Sequence, residues 1–205
     1  MDKRLICIDI SNVVPGKGGT GGGISTYAIN LVKNIDTILD NDKSLTVYCI
    51  KNSEFAGLSE MRNIIIKNVK VNNSNFFLRL FWLHIRLPLF CKRYKINLLH
   101  RIVPELPLIK VCRYIITLHD FMFDFYLQNP PLKKYLTGAN LLKFRLFSKF
   151  TNIAVSISDG IIVPAETIKS ELLNKFRFQN NKVFAIYEAS EFPGYEMAKK
   201  KNGLH

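Results

Sequence analysis

The chain has 205 residues, enough for one sizeable domain or two very small ones. With 48% hydrophobic and 22% charged residues it lies near the globular average, which excludes a fibrous or largely disordered chain. Its 29 basic and 16 acidic residues give a formal net charge of +13, which indicates an anionic partner such as nucleic acid, a phospholipid surface or a phosphorylated small molecule.

Strand-like and helix-like runs alternate along the chain, which predicts an α/β fold with a mostly parallel sheet. Strands are expected at residues 5–10, 45–50, 64–71, 96–100, 114–118, 160–163 and 182–187. Helices are expected at residues 24–39, 75–94, 131–150 and 164–176. Pro88 should kink or divide the second helix, and residues 151–157 could extend the third helix or form a strand. From residue 193 the polar, basic tail is expected to be disordered.

The four cysteines, Cys7, Cys49, Cys91 and Cys112, show no C-x-x-C spacing. They are therefore interpreted as buried thiols of a reducing compartment rather than as zinc ligands or a disulfide framework. The first ten residues do not resemble a signal peptide, and no run of about 18 uncharged apolar residues occurs. Neither a secretion signal nor a membrane-spanning helix is expected.

Glycines are concentrated between the first strand and the first helix, where they supply six of the eight residues from 16 to 23. Such a loop lets the backbone approach a ligand and directs N–H groups of a helix start at an anion. Residues 16–21 match G-x-G-x-x-G, but five residues separate them from the strand, and Lys51 stands where an NAD enzyme needs an acidic residue. Residues 18–23 have the glycine spacing of a P-loop, but Ile24 replaces its lysine. A loop without a ligand is the structural alternative.

Several blocks of sequence resemble, in register, those of family 4 glycosyltransferases. Residues 21–31 read G-G-G-I-S-T-Y-A-I-N-L, similar to the family pattern G-G-I-G-R-Y-x-x-N-L that follows its first strand. The strand that ends at His100 and the run I-I-T-L-H-D that ends at Asp120 resemble the D-V-V-H and V-x-T-I-H-D blocks. Residues 159–169 and 182–187 resemble two later blocks, with Ala165 in the place of a serine and Glu188 where the family has asparagine.

The resemblance implies positions for the functional side chains. The histidine of the family's H-D block lies near the donor sugar, which implies that His119 and Asp120 form the catalytic pair, with Asp120 orienting the loop. It also implies a substrate- or phosphate-binding loop and a cleft lining. The loop residues are Gly21, Gly22, Gly23 and Ser25, and the cleft residues are His100 and Glu166. For His119 the structural alternative is a hydrogen-bonded histidine without a catalytic role. For Glu166 it is a carboxylate that stabilises the start of a helix.

No acidic residue lies between Met61 and Pro104, whereas nine basic residues do. Three arginines recur every seven residues beside an aromatic and aliphatic run, a pattern typical of a helix that lies in a membrane interface. The predicted membrane-interface residues are Arg79, Trp82, Arg86 and Arg93. The alternative is a helix packed on the sheet with a solvated basic edge. No motif of a nucleic-acid-binding protein accompanies the charge, so nucleic acid is not the expected partner.

The resemblance extends over residues 4–190 and implies a doubly wound, Rossmann-like domain, one half of a GT-B glycosyltransferase. Residues 1–190 are assigned to this domain and residues 191–205 to a disordered tail or linker. The family's second domain, with its E-x7-E motif and nucleotide-binding residues, is expected to be absent, which predicts a truncated or split enzyme with little activity alone.

The implied reaction is retaining transfer of a sugar from a nucleotide-sugar to a lipid-linked or surface-glycan acceptor, with no metal or further cofactor. Polysaccharide biosynthesis at the cytoplasmic face of a membrane is the implied setting, and a separate chain carrying the second domain is an expected partner. The alternatives are a non-enzymatic membrane- or glycan-binding module and a nucleotide-cofactor-binding Rossmann protein.

Overall fold

A computed structural model of the chain describes residues 4–14, 16, 22–41, 44–55, 58, 61–177 and 180–188. They form a seven-stranded sheet in the order β3-β2-β1-β4-β5-β6-β7, and every neighbouring pair is parallel. The strands are β1 Arg4–Ile10, β2 Leu45–Asn52, β3 Ile64–Val69, β4 Leu98–Arg101, β5 Arg113–Thr117, β6 Gly160–Val163 and β7 Val183–Ala185. The parallel α/β fold and all seven strand positions predicted from the sequence are thereby confirmed.

Helices connect most of these strands. They are α1 Gly23–Ile38, α2 Phe76–Phe81, α3 Leu87–Arg93, α4 Met122–Gln128, α5 Pro130–Lys133, α6 Gly138–Ile157 and α7 Glu166–Phe176, with short 3-10 turns at Leu39–Asn41 and Asn180–Lys182. No helix in the described part of the chain is long and apolar enough to cross a membrane. The tail from residue 189, including the predicted linker 191–205, lies outside the described residues.

The helix predicted at residues 75–94 is continuous from Phe76 to Arg93 but contains a π-helical segment, Trp82–Arg86, between α2 and α3. Pro88 lies two residues beyond this segment, as the second residue of α3. A proline inside a helix lacks an N–H group and clashes with the carbonyl four residues earlier. A π-helical turn is wider than an α-helical one, because its hydrogen bonds join residues five apart instead of four. Pro88 therefore alters the helical turn without dividing the helix.

The helix predicted at residues 131–150 differs from the structure at its start. Pro130 and Pro131 start the short helix α5, and the long helix α6 starts only at Gly138, whose φ of +51° favours glycine. The long helix continues to Ile157, which settles residues 151–157 as helix. Helix α4 was not predicted, because the run from Met122 to Gln128 is apolar or aromatic at nearly every position and has no clear period.

Buried side chains lie on both faces of the sheet. Helix α1 packs Ala28 and Val32 on one face, against residues of β1 and β2 such as Ile8 and Val47. The helices between α2 and α7 pack on the other face, where Leu87 joins the core formed by residues of β4, β5 and β6. This division follows from right-handed crossovers, because connections that move in opposite directions along the sheet place their helices on opposite faces.

The face on the α1 side is incompletely covered at β5, β6 and β7. The described residues place no helix over this part, where Ile115 and Ile162 are half-buried and Phe184 is 53% exposed. The uncovered area begins next to Thr117, at the end of β5 where the candidate site lies.

Candidate functional site

The candidate site lies where β4 and β5 end and α1 begins. His100 is in the last half of β4, Thr117 ends β5, and His119 follows two residues later. Tyr27 reaches the same place from the second turn of α1. Because β4 and β5 are parallel neighbours, their carboxyl ends meet at one edge of the sheet, where open α/β folds bind ligands.

A chain of hydrogen bonds joins three of these side chains. The Nε2 atom of His100 lies 3.0 Å from the Thr117 hydroxyl, which in turn lies 3.1 Å from the Tyr27 hydroxyl. Burial lowers the pKa of His100 to about 4, so this imidazole is neutral at physiological pH. Burial also raises the pKa of Tyr27, and the nearby carboxylate of Glu188 adds to the rise while the Thr117 hydrogen bond opposes it. The three hydrogen-bonded side chains therefore offer neutral donors and acceptors, which can bind the hydroxyl groups of a ligand.

Contacts on three sides hold His119. Its Nδ1 atom lies 2.9 Å from Oε1 of Glu188, and its Nε2 atom lies 3.2 Å from the carbonyl oxygen of Ile102. The edge of one ring meets the face of the other between His119 and Tyr27, with ring centroids 5.0 Å apart. These contacts fix the ring, and its side chain keeps 17% of its surface exposed.

A buried ion pair lies behind the site. The guanidinium of Arg101, the residue after His100, donates to the carboxylate of Asp9 in β1, and both side chains are almost fully buried. The second carboxylate oxygen of Asp9 accepts the N–H of Ser11, at the start of the glycine-rich loop. The pair therefore joins the carboxyl ends of β1 and β4, and Asp9 also holds the backbone of Ser11.

The predicted binding loop is described only in part. Gly21 lies outside the described residues, whereas Gly22 is the N-terminal cap of α1 and Gly23 is its first residue. Ser25 is buried, and its backbone N–H and its hydroxyl both donate to the carbonyl of Gly22. The first turn of α1 contains no acidic residue, so the positive end of its dipole is not neutralised within the turn.

The other predicted site residues lie apart from these contacts. Asp120 is exposed, and its carboxylate accepts the N–H of Met122 at the start of α4. The carboxylate therefore makes a local turn with the backbone two residues further along the chain. Glu166 is the exposed first residue of α7, where a carboxylate favours the helix dipole.

The predicted membrane-interface residues divide into two pairs. Trp82 is only 9% exposed and belongs to the core, and Arg79 is ion-paired with Glu105 at 3.0 Å while it covers the Phe147 ring. Placing these two at a membrane interface therefore conflicts with the structure, because the helix turns them towards the protein. Arg86 and Arg93 are exposed.

Four side chains of the site were missed at the sequence level: Tyr27, Thr117, Arg101 and Glu188. Tyr27 and Thr117 belong to the blocks that resemble the family, and their position in those blocks was the available signal. Nothing in the sequence shows that Glu188 meets His119 across 69 residues, or that Arg101 pairs with Asp9. Within the described residues, no three His, Cys, Asp or Glu side chains gather closely enough to hold a metal ion.

Comparison with known proteins agrees with this architecture. The sequence model described as Glycosyltransferase Family 4 matches residues 21–189. The structure is similar to that of a glycosyltransferase from Rickettsia africae ESF-5, with a TM-score of 0.50 and 14% identity, over 100% of this chain and 51% of that one. The chain thus spans about half the length of that protein, and at this identity the likeness supports the fold alone. No curated protein sequence matches significantly. Because the family match extends over most of the chain, the chain belongs to glycosyltransferase family 4.

Proposed function

We propose that the chain is the N-terminal, acceptor-side domain of a retaining glycosyltransferase, which transfers a sugar from a nucleotide-sugar to a lipid-linked or surface-glycan acceptor. The observation that carries this proposal is the meeting of His119, Tyr27, Thr117 and His100 at the carboxyl edge of the sheet in a family 4 domain. These side chains make a polar site whose members are oriented by one another.

The chemistry of the site suits a sugar bound next to a phosphate. Neutral His100 and the hydroxyls of Thr117 and Tyr27 can exchange hydrogen bonds with sugar hydroxyls. The start of α1 lies beside them through Tyr27, and its unneutralised dipole favours an anion such as a phosphate group. His119 packs against the ring of Tyr27 and is the residue proposed to contact the transferred group.

The proposal includes a second α/β domain that binds the nucleotide part of the donor. Two facts support it: the chain spans 51% of the similar glycosyltransferase structure, and the described residues leave Phe184 and the nearby face of β5–β7 exposed. Such a domain could be encoded by the continuation of the same reading frame or by a neighbouring gene. Without it, the 205-residue chain is expected to show little or no transfer.

Transfer of labelled sugar tests the reaction. The chain is assayed alone and together with the α/β domain encoded next to it, using UDP- and GDP-sugars and a lipid extract as acceptor. The proposal is supported if transfer occurs only when both domains are present and the NMR spectrum shows that the product keeps the anomeric configuration of the donor sugar. Robust transfer by the isolated chain, or an inverted product, contradicts it.

The surface of α2 and α3 supports a membrane-bound acceptor. Apolar side chains spaced four residues apart stand on its outer side and are 45–79% exposed: Phe77, Phe81, Ile85 and Leu89. Exposed Arg86, Lys92 and Arg93 lie on the same helical segment. Isolated apolar residues on a surface need no explanation, but a contiguous apolar stripe beside basic residues fits an anionic lipid surface. We therefore propose that this stripe rests on the membrane that carries the acceptor.

Co-sedimentation with vesicles tests this surface. Full burial of a Phe or Leu side chain is worth about 1.5–3 kcal/mol, so the double variant Phe81→Ser/Leu89→Ser should weaken binding to phosphatidylglycerol-containing vesicles about tenfold or more. Tyr135→Ser is the matched control, because Tyr135 is 71% exposed on a different segment. Equal binding by the double variant and the control would remove the membrane surface from the proposal.

A further inference from the structure

Both ring nitrogens of His119 face oxygen atoms in this structure. Nδ1 lies 2.9 Å from the Glu188 carboxylate, and Nε2 lies 3.2 Å from the Ile102 carbonyl. A carbonyl and an ionised carboxylate can only accept hydrogen bonds, and only the imidazolium form of the ring carries an N–H at both nitrogens to donate to them. Neither nitrogen is therefore free to bind a substrate, although the family places this histidine in the site.

The two contacts differ in how easily a ligand could replace them. The carbonyl of Ile102 belongs to a fully buried residue, and the preceding Arg101 is fixed by its ion pair with Asp9. The side chain of Glu188 is 40% exposed and lies three residues beyond the end of β7. Partly exposed ion pairs contribute little stability. The Nε2 contact is thus the anchor of the ring, and the Nδ1 contact is the one that can be exchanged.

The Nδ1 atom of His119 also determines which chemical group could replace Glu188. A carboxylate now fills the position, and the ring donates to it. Among the described residues, the other groups that face the ring carry no competing positive charge: Tyr27 presents an aromatic ring, and His100 is neutral and lies behind Thr117. The Asp120 carboxylate accepts the N–H of Met122. A ligand that takes this position must supply an oxygen acceptor, and an anionic one most resembles the present occupant.

We propose that Nδ1 of His119 is an oxyanion-binding position and that Glu188 fills it while no ligand is bound. The ligand group is a phosphate or a carboxylate of the substrate, and Glu188 competes with it for the same N–H. The proposal rests on the proposed function only in placing the substrate at His119. Glu188 stands where the resemblance has asparagine, so this competition is a property of this chain's own sequence.

Binding of inorganic pyrophosphate tests the competition. Its dissociation constant is measured by calorimetry for the wild type, Glu188→Ala and Glu188→Gln, and the imidazole NMR signals of His119 report where it binds. Loss of a partly exposed ion pair should strengthen binding about two- to fivefold in both variants. Glu171→Ala is the matched control, because it removes the same charge from an exposed position on α7 and should leave the constant unchanged.

Each result of this experiment decides the matter. Tighter binding by both Glu188 variants, together with shifted His119 signals, supports the proposal. Equal or weaker binding overturns it, and so does binding that leaves the His119 signals unmoved, an effect of the same size in Glu171→Ala, or the absence of binding in every variant. A failure of sugar transfer with the pyrophosphate result intact would refute the proposed function and leave this inference standing.

Discussion

Removing the guanidinium of Arg101 should destabilise the fold far more than removing any surface charge. In the variant Arg101→Met, the carboxylate of Asp9 stays fully buried and keeps, among the described residues, only the N–H of Ser11 as a hydrogen-bond partner. Breaking a buried ion pair by removing one partner costs about 3–5 kcal/mol, because the remaining charge has lost its solvation and its partner. For a chain of this length, that corresponds to a melting temperature lower by about 6–20 °C.

An exposed ion pair in the same molecule provides the comparison. Lys110 and Asp159 lie 2.7 Å apart with side chains 47% and 38% exposed, and such pairs are worth about 0–1 kcal/mol. Urea denaturation of Lys110→Met and Arg101→Met measures both costs under the same conditions. The double variant Asp9→Asn/Arg101→Met removes both buried charges and should lose less stability than Arg101→Met alone. Equal costs for the buried and the exposed pair would refute the assignment of Asp9 and Arg101 as the buried electrostatic anchor of the site.

Three further predictions concern stability. Burial lowers the pKa of His100 from 6.5 to about 4, so between these pH values the unfolded chain binds a proton that the folded chain excludes. The free energy of unfolding should therefore fall by up to about 1.4 kcal/mol per pH unit as the pH drops through this range. His100→Gln should flatten that slope in urea titrations at several pH values. Gly138→Ala should cost about 1–2 kcal/mol in the same titrations, because its φ is +51° and no atom lies near enough to compensate; an unchanged midpoint would contradict the assigned backbone. Arg177 has the same positive φ at the end of α7, so Arg177→Gly should raise stability by about 0.5 kcal/mol, and a loss would contradict this account.

The sequence predicts the sheet better than the helices beyond it. Each buried strand is a short apolar run bounded by turn residues, which is a local signal, and all seven runs became strands. Helix α4 was missed because its residues are apolar or aromatic on nearly all sides, and the start of α6 was misplaced because Gly138 breaks an otherwise helical pattern. Local periodicity carries no information about a single residue in a left-handed conformation.

The candidate site shows the same division between local and long-range information. His100 and His119 are recognisable from the blocks around them, and the structure brings both to one edge of the sheet. The partners that orient them, Thr117, Glu188 and the Ile102 carbonyl, depend on how distant segments pair. Trp82 was misassigned for a related reason: in a segment that is apolar nearly all round, the pattern does not show which side faces the core.

The distribution of basic residues in the structure is more informative than the net charge of the chain. Part of the acid-free segment is neutralised inside the fold, since Arg79 and Arg101 pair with Glu105 and Asp9. The exposed remainder, including Arg86 and Arg93, lies beside the apolar stripe of α2 and α3. The proposed membrane surface rests on this arrangement, and the vesicle experiment tests it.

The central claim is that His119 contacts the transferred group in a glycosyltransferase site. The most direct measurement is kcat/KM for sugar transfer by the chain together with its second α/β domain, compared between the wild type and His119→Ala, with Tyr135→Phe as a surface control. Loss of a hydrogen bond made in the transition state predicts a decrease of about 10²-fold or more in His119→Ala, with a similar melting temperature. A kcat/KM within twofold of the wild type would contradict the claim.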